Sequence, residues 1–213
     1  MFHDTLYLYG FTESAFNFQN DNFGKGGVGG DRFLPQRDGA MENDLVIHEL
    51  THGMTARMTG GGTAQCLDTR EAGGLDEGWA DAVANWFSHS ATPQVHDFFF
   101  VPWVTNGNST FFRTGPYSTS VATNSLRYSD LSTRETLHEL VTKHSWSSTA
   151  LTDSTGSSGN VVWLHLIVDG LALQPCNPTF TTARDAMIQA DTNRGLGVGA
   201  EDYVDSDAVP EDC

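Results

Sequence analysis

Basic residues are scarce in this 213-residue chain: 11 Lys and Arg stand against 27 Asp and Glu, a formal net charge of -16 with histidine neutral. Binding a phosphate backbone or an anionic bilayer requires a Lys- and Arg-rich surface, so neither nucleic acid nor a membrane is an expected partner. Long apolar runs are also missing. The longest, Val161 to Val168, contains a histidine and falls far short of the roughly 20 residues that cross a bilayer, so it reads as a core helix or strand. The opening residues MFHDTLYLYG carry neither a basic leader nor an apolar stretch ending in a small-residue cleavage site, and no secretory signal is read there. Cysteine is limited to Cys66, Cys176 and Cys213, so one disulfide leaves one thiol over and the pairing stays open. Glycine is plentiful, but the cluster Gly24, Gly26, Gly27, Gly29 and Gly30 lacks the GKS or GKT ending of a phosphate loop.

What remains describes a globular enzyme-sized chain. Hydrophobic residues make up 38% and charged residues 18%. That suffices for a buried core in one large domain or two small ones. Apolar spacing predicts a helix from Asn43 or Asp44, either able to cap it, through Met58, closed by Gly60 to Gly62. The stretch to Gly74 reads as a loop. A further helix follows, capped by Asp76 and packed through Trp79, Val83, Ala84, Trp86 and Phe87. Residues His96 to Asn124 suggest irregular structure or short strands around a cleft. Ser132 to His144 reads as a short helix and Leu151 to Asn160 as a loop. Helices are expected again from Val161 to Leu173, stopped by Pro175, and after a cap near Thr181 or Thr182. The expected organisation is a region 1–150 that carries the chemistry and a helical region 151–213 packed with it as one unit.

The chemistry-bearing string is His48-Glu49-Leu50-Thr51-His52. Four residues of helix bring both imidazoles to one face, close enough to share a metal ion. Glu49 lies beside them, placed to take a proton from water rather than to bind the metal. Those residues alone fit either a zinc peptidase helix or a pair of surface or capping histidines. The following helix offers Glu77 as a third ligand. Asp81, one turn later, can accept the remaining N–H of a ligand histidine and fix its tautomer. Glu71 is the competing carboxylate, with less support because it falls in an expected loop. Glu77 as a first-turn acid stabilised by the helix dipole is the plainer reading, and it explains one residue rather than the set.

The sequence closely resembles the fungalysin family, secreted fungal zinc metalloendopeptidases. The resemblance is carried by YGFTESAFNFQNDNFGKGG, PQRDGAMENDLVIHELTHG, the triple-glycine turn with Cys66-Leu67, EAGGLDEGWAD, PYSTS, LRYSD and GNVVWLHLIVDGLALQPCNPTFTTARDAMIQAD. It implies an α+β, mainly helical, thermolysin-like catalytic core of the zincin type, incomplete here. It also implies Zn2+ held by His48, His52 and Glu77, Glu49 as general base, Asp81 supporting a ligand, and His138 stabilising the oxyanion. Protein or peptide substrates, an extracellular location and an inhibitory propeptide in the full-length form follow from the same resemblance. Against the family pattern, segments are missing after Arg32, after His138 and between Asn193 and Arg194. After His138 the family's glycine-glutamate pair is replaced by Glu139-Leu140. The expected function is therefore a zinc endopeptidase cleaving internal peptide bonds; the alternative is a shortened, weakly active or inactive zinc-binding fragment serving as an interaction module.

Overall fold

A computed structural model describes residues 1–30, 42–89, 96–103, 113, 115–118, 120, 122–123 and 134–198, with the side chains at 134–136, 138 and 139 left aside. Helix α1, Phe2–Tyr9, is not among the expected helices, yet its buried residues Phe2, Thr5, Leu6 and Tyr9 recur at helical spacing. Gly10 closes it with φ 120, a conformation that favours glycine. Helix α2, Asn43–Met58, matches the expected span, but neither Asn43 nor Asp44 caps it. Asp44 instead accepts from Ser88 Oγ at 2.9 Å, and Glu42, at the N-cap position, accepts from the Trp103 backbone N–H.

Helix α3, Arg70–Ser88, begins six residues before the expected cap. Thr69 caps it by accepting from the Ala72 N–H at 3.2 Å. Gly73 and Gly74 each cost about 1 kcal/mol of helix propensity, and the buried Ala72, Leu75 and Trp79 offset that cost. Asp76 thus lies in the second turn, not at the end. Helices α4, Arg134–His144, α5, Gly159–Leu173, and α6, Phe180–Arg194, complete the described elements. The cap of α6 is Thr179, two residues ahead of the expected position.

Helix α5 is apolar all round, and only Asp169, Ala172 and Leu173 escape full burial. Such a helix must be surrounded. It packs against α1, α4 and α6 and touches both α2 and α3. The Trp86 indole N–H donates to Asn160 O at 2.8 Å, joining α3 to the start of α5. One continuous core includes Tyr9, Met54, Trp79, Trp86, Leu140 and Trp163, with contributions from both 1–150 and 151–198.

The expected α+β class is overturned. Among the described residues there is no β-strand, only an isolated antiparallel bridge between Phe98 and Tyr117, with N–H···O distances of 3.0 and 2.9 Å. Val101 at φ 48 turns the first side out of extended backbone, and Pro102 has no N–H to extend a ladder. On the other side Pro116 precedes Tyr117 and likewise lacks a donor. Of the described residues of the aromatic segment, Phe98, Phe100, Val101 and Tyr117 therefore pack on the helical core without forming a sheet.

Cys66 pairs with Cys176, which joins the loop after α2 to the turn between α5 and α6. Backbone and side-chain bonds run alongside: Asn177 N–H donates to Cys66 O at 2.9 Å, and Gln174 Nε2 donates to Thr59 Oγ1 at 2.6 Å. Gly60 has φ 64, and a Cβ there would stand 2.4 Å from Cys66 Sγ. Only glycine fits that approach. The junction fixes the end of α2 and the start of α3, the two helices that carry the candidate site.

Candidate metal centre

Helix α2 places His48 and His52 one turn apart on the side facing α3. Their rings are nearly perpendicular, 89° at 4.5 Å between centroids, and their Nε2 atoms meet at 2.9 Å. Across from both lies Glu77 of α3, with Oε2 3.4 Å from His48 Nε2 and Oε1 3.6 Å from His52 Nε2. One donor atom from each of the three residues lies within 4.8 Å of the others.

Each imidazole is backed by a carboxylate. Asp81 Oδ1 lies 2.7 Å from His48 Nδ1, a close contact out of line with the ring N–H. Asp81 is buried and also accepts from Arg113 Nε at 2.5 Å, from Arg113 Nη2 at 2.9 Å and from the Tyr117 hydroxyl. Burial pushes its carboxyl up, but His48, Arg113 and Tyr117 outweigh that and hold it below the ordinary carboxylate value. Arg113 reaches Glu77 Oε2 as well, at 3.1 Å, and stacks over the Phe100 ring at 4.8 Å. Behind the second histidine, Asp76 Oδ2 lies 2.8 Å from His52 Nδ1, and its other oxygen accepts from Thr55 Oγ1. Burial draws the His52 imidazole down, yet Asp76, then Glu77 and Glu49, raise it above its ordinary value.

The donor set fits a zinc ion. Two imidazole Nε2 atoms and one carboxylate converge, and a carboxylate lies beside each Nδ1, hydrogen-bonded in His52 and in close contact in His48, leaving Nε2 for a cation. Glu49 is exposed on the same turn of α2 and makes no hydrogen bond or ion pair among the described residues. Its carboxylate is available to water. Glu71 is engaged elsewhere, accepting from the Phe180 N–H at 2.6 Å at the start of α6. His138 belongs to α4, but its side chain lies outside the described residues. His165 is a buried core residue whose Nε2 bonds Ser154 O at 2.9 Å. Asp76, Arg113 and Tyr117 are contributors that the sequence reading does not assign to the site. Only Asp76 had a sequence signal, since starting α3 at Thr69 carries it to the face beside Glu77.

The model of the fungalysin metallopeptidases matches residues 1–35 and 32–202. The chain belongs to the fungalysin family. An extracellular metalloproteinase of Pyricularia oryzae is 36% identical over 273 aligned positions, covering 94% of this chain and 43% of that protein. Its Aspergillus flavus counterpart is 33% identical, covering all of this chain and 45% of the relative. Extracellular metalloproteinase 4 of Arthroderma otae is 32% identical, covering all of this chain and 44% of its own length. This fungalysin thus spans less than half the length of the curated relatives it matches. Alignments of that length over 213 residues also require segments in the relatives with no counterpart here. The two family-model matches meet at residues 32–35, where a missing segment is expected.

Proposed function

We propose that this chain is the catalytic core of a zinc endopeptidase that hydrolyses internal peptide bonds, with His48, His52 and Glu77 as the metal ligands. The observation that carries the proposal is the convergence of two Nε2 atoms and the Glu77 carboxylate within a family of metallopeptidases. A bound zinc ion would supply a Lewis acid that polarises a carbonyl and acidifies water. The protein's own part is placement. Glu49, exposed beside His48, takes the proton from attacking water and returns it to the leaving amine. Asp81, locked by Arg113 and Tyr117, holds the His48 ring. Developing charge on the carbonyl oxygen needs a donor, and His138 is the proposed one. We read 1–150 and 151–213 as one working unit because residues from both build a common core. An extracellular setting is supported by the relatives' names and by the Cys66–Cys176 disulfide, which persists in an oxidising compartment.

A second reading, a zinc-binding fragment with little or no activity, is favoured by the internal segments of the relatives that have no counterpart within the aligned region. One paired measurement separates the two: zinc content and cleavage of an internally quenched peptide, for the parent, Glu49→Gln and His138→Ala. Stoichiometric zinc with chelator-sensitive cleavage, abolished in Glu49→Gln, supports the peptidase. A loss of about 100- to 1000-fold in kcat for His138→Ala supports its oxyanion role. Zinc without cleavage in the folded parent selects the fragment.

A further inference from the structure

The carboxylates behind the two imidazoles differ in their surroundings. Asp81 is buried, and the guanidinium of Arg113 answers its charge. Asp76 contacts His52 and Thr55, and no Lys or Arg pairs with it among the described residues. Its side chain is only 19% exposed, so solvent screens it partly. With both histidines neutral, Asp76, Glu77 and Asp81 set against Arg113 leave two net negative charges in contact with the imidazoles, and exposed Glu49 adds another beside them. An excess of negative charge of this kind suits a divalent cation.

We propose that Asp76 is a positioning residue of the metal centre, keeping His52 in its Nδ1–H form with Nε2 toward the cation and supplying a negative charge that no Lys or Arg among the described residues compensates. The proposal rests on the reading that His48, His52 and Glu77 hold zinc. Three features of the chain converge on it. The Thr69 cap starts α3 early enough to put Asp76 on the turn facing α2. Adjacent positions on α3 then divide the work, Glu77 meeting the Nε2 atoms and Asp76 reaching Nδ1 from behind. Thr55, on the turn of α2 after His52, donates to the other Asp76 oxygen and fixes the carboxylate plane. Partners of this kind orient a ligand imidazole and raise its basicity.

The test compares the parent, Asp76→Asn, Asp76→Ala and His52→Ala in two measurements. One is zinc affinity by competition with a chromophoric chelator. The other is the tautomer of His52 in the metal-free protein, read at pH 8 from long-range proton–nitrogen NMR correlations. The Ala variant should bind zinc about 10- to 100-fold more weakly and show a mixed His52 tautomer. Asp76→Asn keeps an acceptor oxygen but loses the charge, so its affinity should fall between parent and Ala. If the Ala variant does not fold, the shape-matched Asn variant carries the comparison. Either readout unchanged in both variants overturns the proposal while the zinc reading stands. A folded parent that binds no zinc overturns both.

Discussion

His48 Nε2 and His52 Nε2 face each other at 2.9 Å, with Glu77 spanning the pair. Two imidazole nitrogens at that distance need either a shared proton or a shared cation, and only a cation satisfies both lone pairs. Zinc should therefore stabilise the fold. At one hundred times its dissociation constant the gain is about 2.7 kcal/mol, or roughly 5–11 °C in Tm for a chain of this size. Differential scanning fluorimetry with and without zinc measures it. The double variant His48→Ala/His52→Ala should show no shift, and an equal shift there would move the binding elsewhere.

Arg113 supports the site from a distance of 32 residues along the chain. Asp81 is 2% exposed on its side chain and Arg113 26%, so the pair is poorly screened by solvent. Arg113→Met removes the cation and leaves a buried carboxylate facing His48 and Tyr117. Breaking such a pair from one side costs about 3–5 kcal/mol. Urea denaturation should record that loss, with zinc affinity falling as His48 loses its fixed partner. A cost under about 1 kcal/mol would place the pair with solvent-screened surface bridges.

Burial lowers the His165 imidazole below its ordinary value of 6.5, and the Ser154 carbonyl only partly opposes this. The folded chain therefore binds a proton there less readily than the unfolded chain. Stability from this group is complete above pH 6.5 and is lost as the pH falls from there toward the lower folded value. Urea unfolding of the parent and His165→Gln across pH 5 to 8 isolates the effect: the difference between them should change below pH 6.5. Parallel curves would rule it out.

How much of this was legible in the sequence depended on periodicity and on the length of apolar runs. Helix α2 was, through side chains at helical spacing over a long stretch, and α5 was, through an unbroken apolar run closed by Pro175. The start of α3 was not. Gly73 and Gly74 read as loop, and only the burial of Ala72 and Leu75 shows why helix persists through them. That misplacement assigned Asp76 to a cap and hid its contact with His52. The meeting of His48, His52 and Glu77 was readable because one helical turn pairs the first two, and Glu77 was preferred to Glu71 among the carboxylates that follow. Arg113 and Tyr117 come from an aromatic stretch without helical spacing, and their meeting with Asp81 is a tertiary fact. Among the described residues the expected sheet is absent for a local reason, the proline and left-handed backbone around the Phe98–Tyr117 bridge. Three cysteines allowed three pairings, and sequence could not choose among them.

The Cys66–Cys176 bond encloses 110 residues of separation, including α3, Arg113 and α4. Any single cut inside that ring leaves both pieces covalently joined. Self-digestion in the aromatic segment would therefore pass unseen on a gel run without reductant and appear as two bands once thiol is added. For a chain read as a protease, comparing the two gels is a direct record of whether it has cut itself.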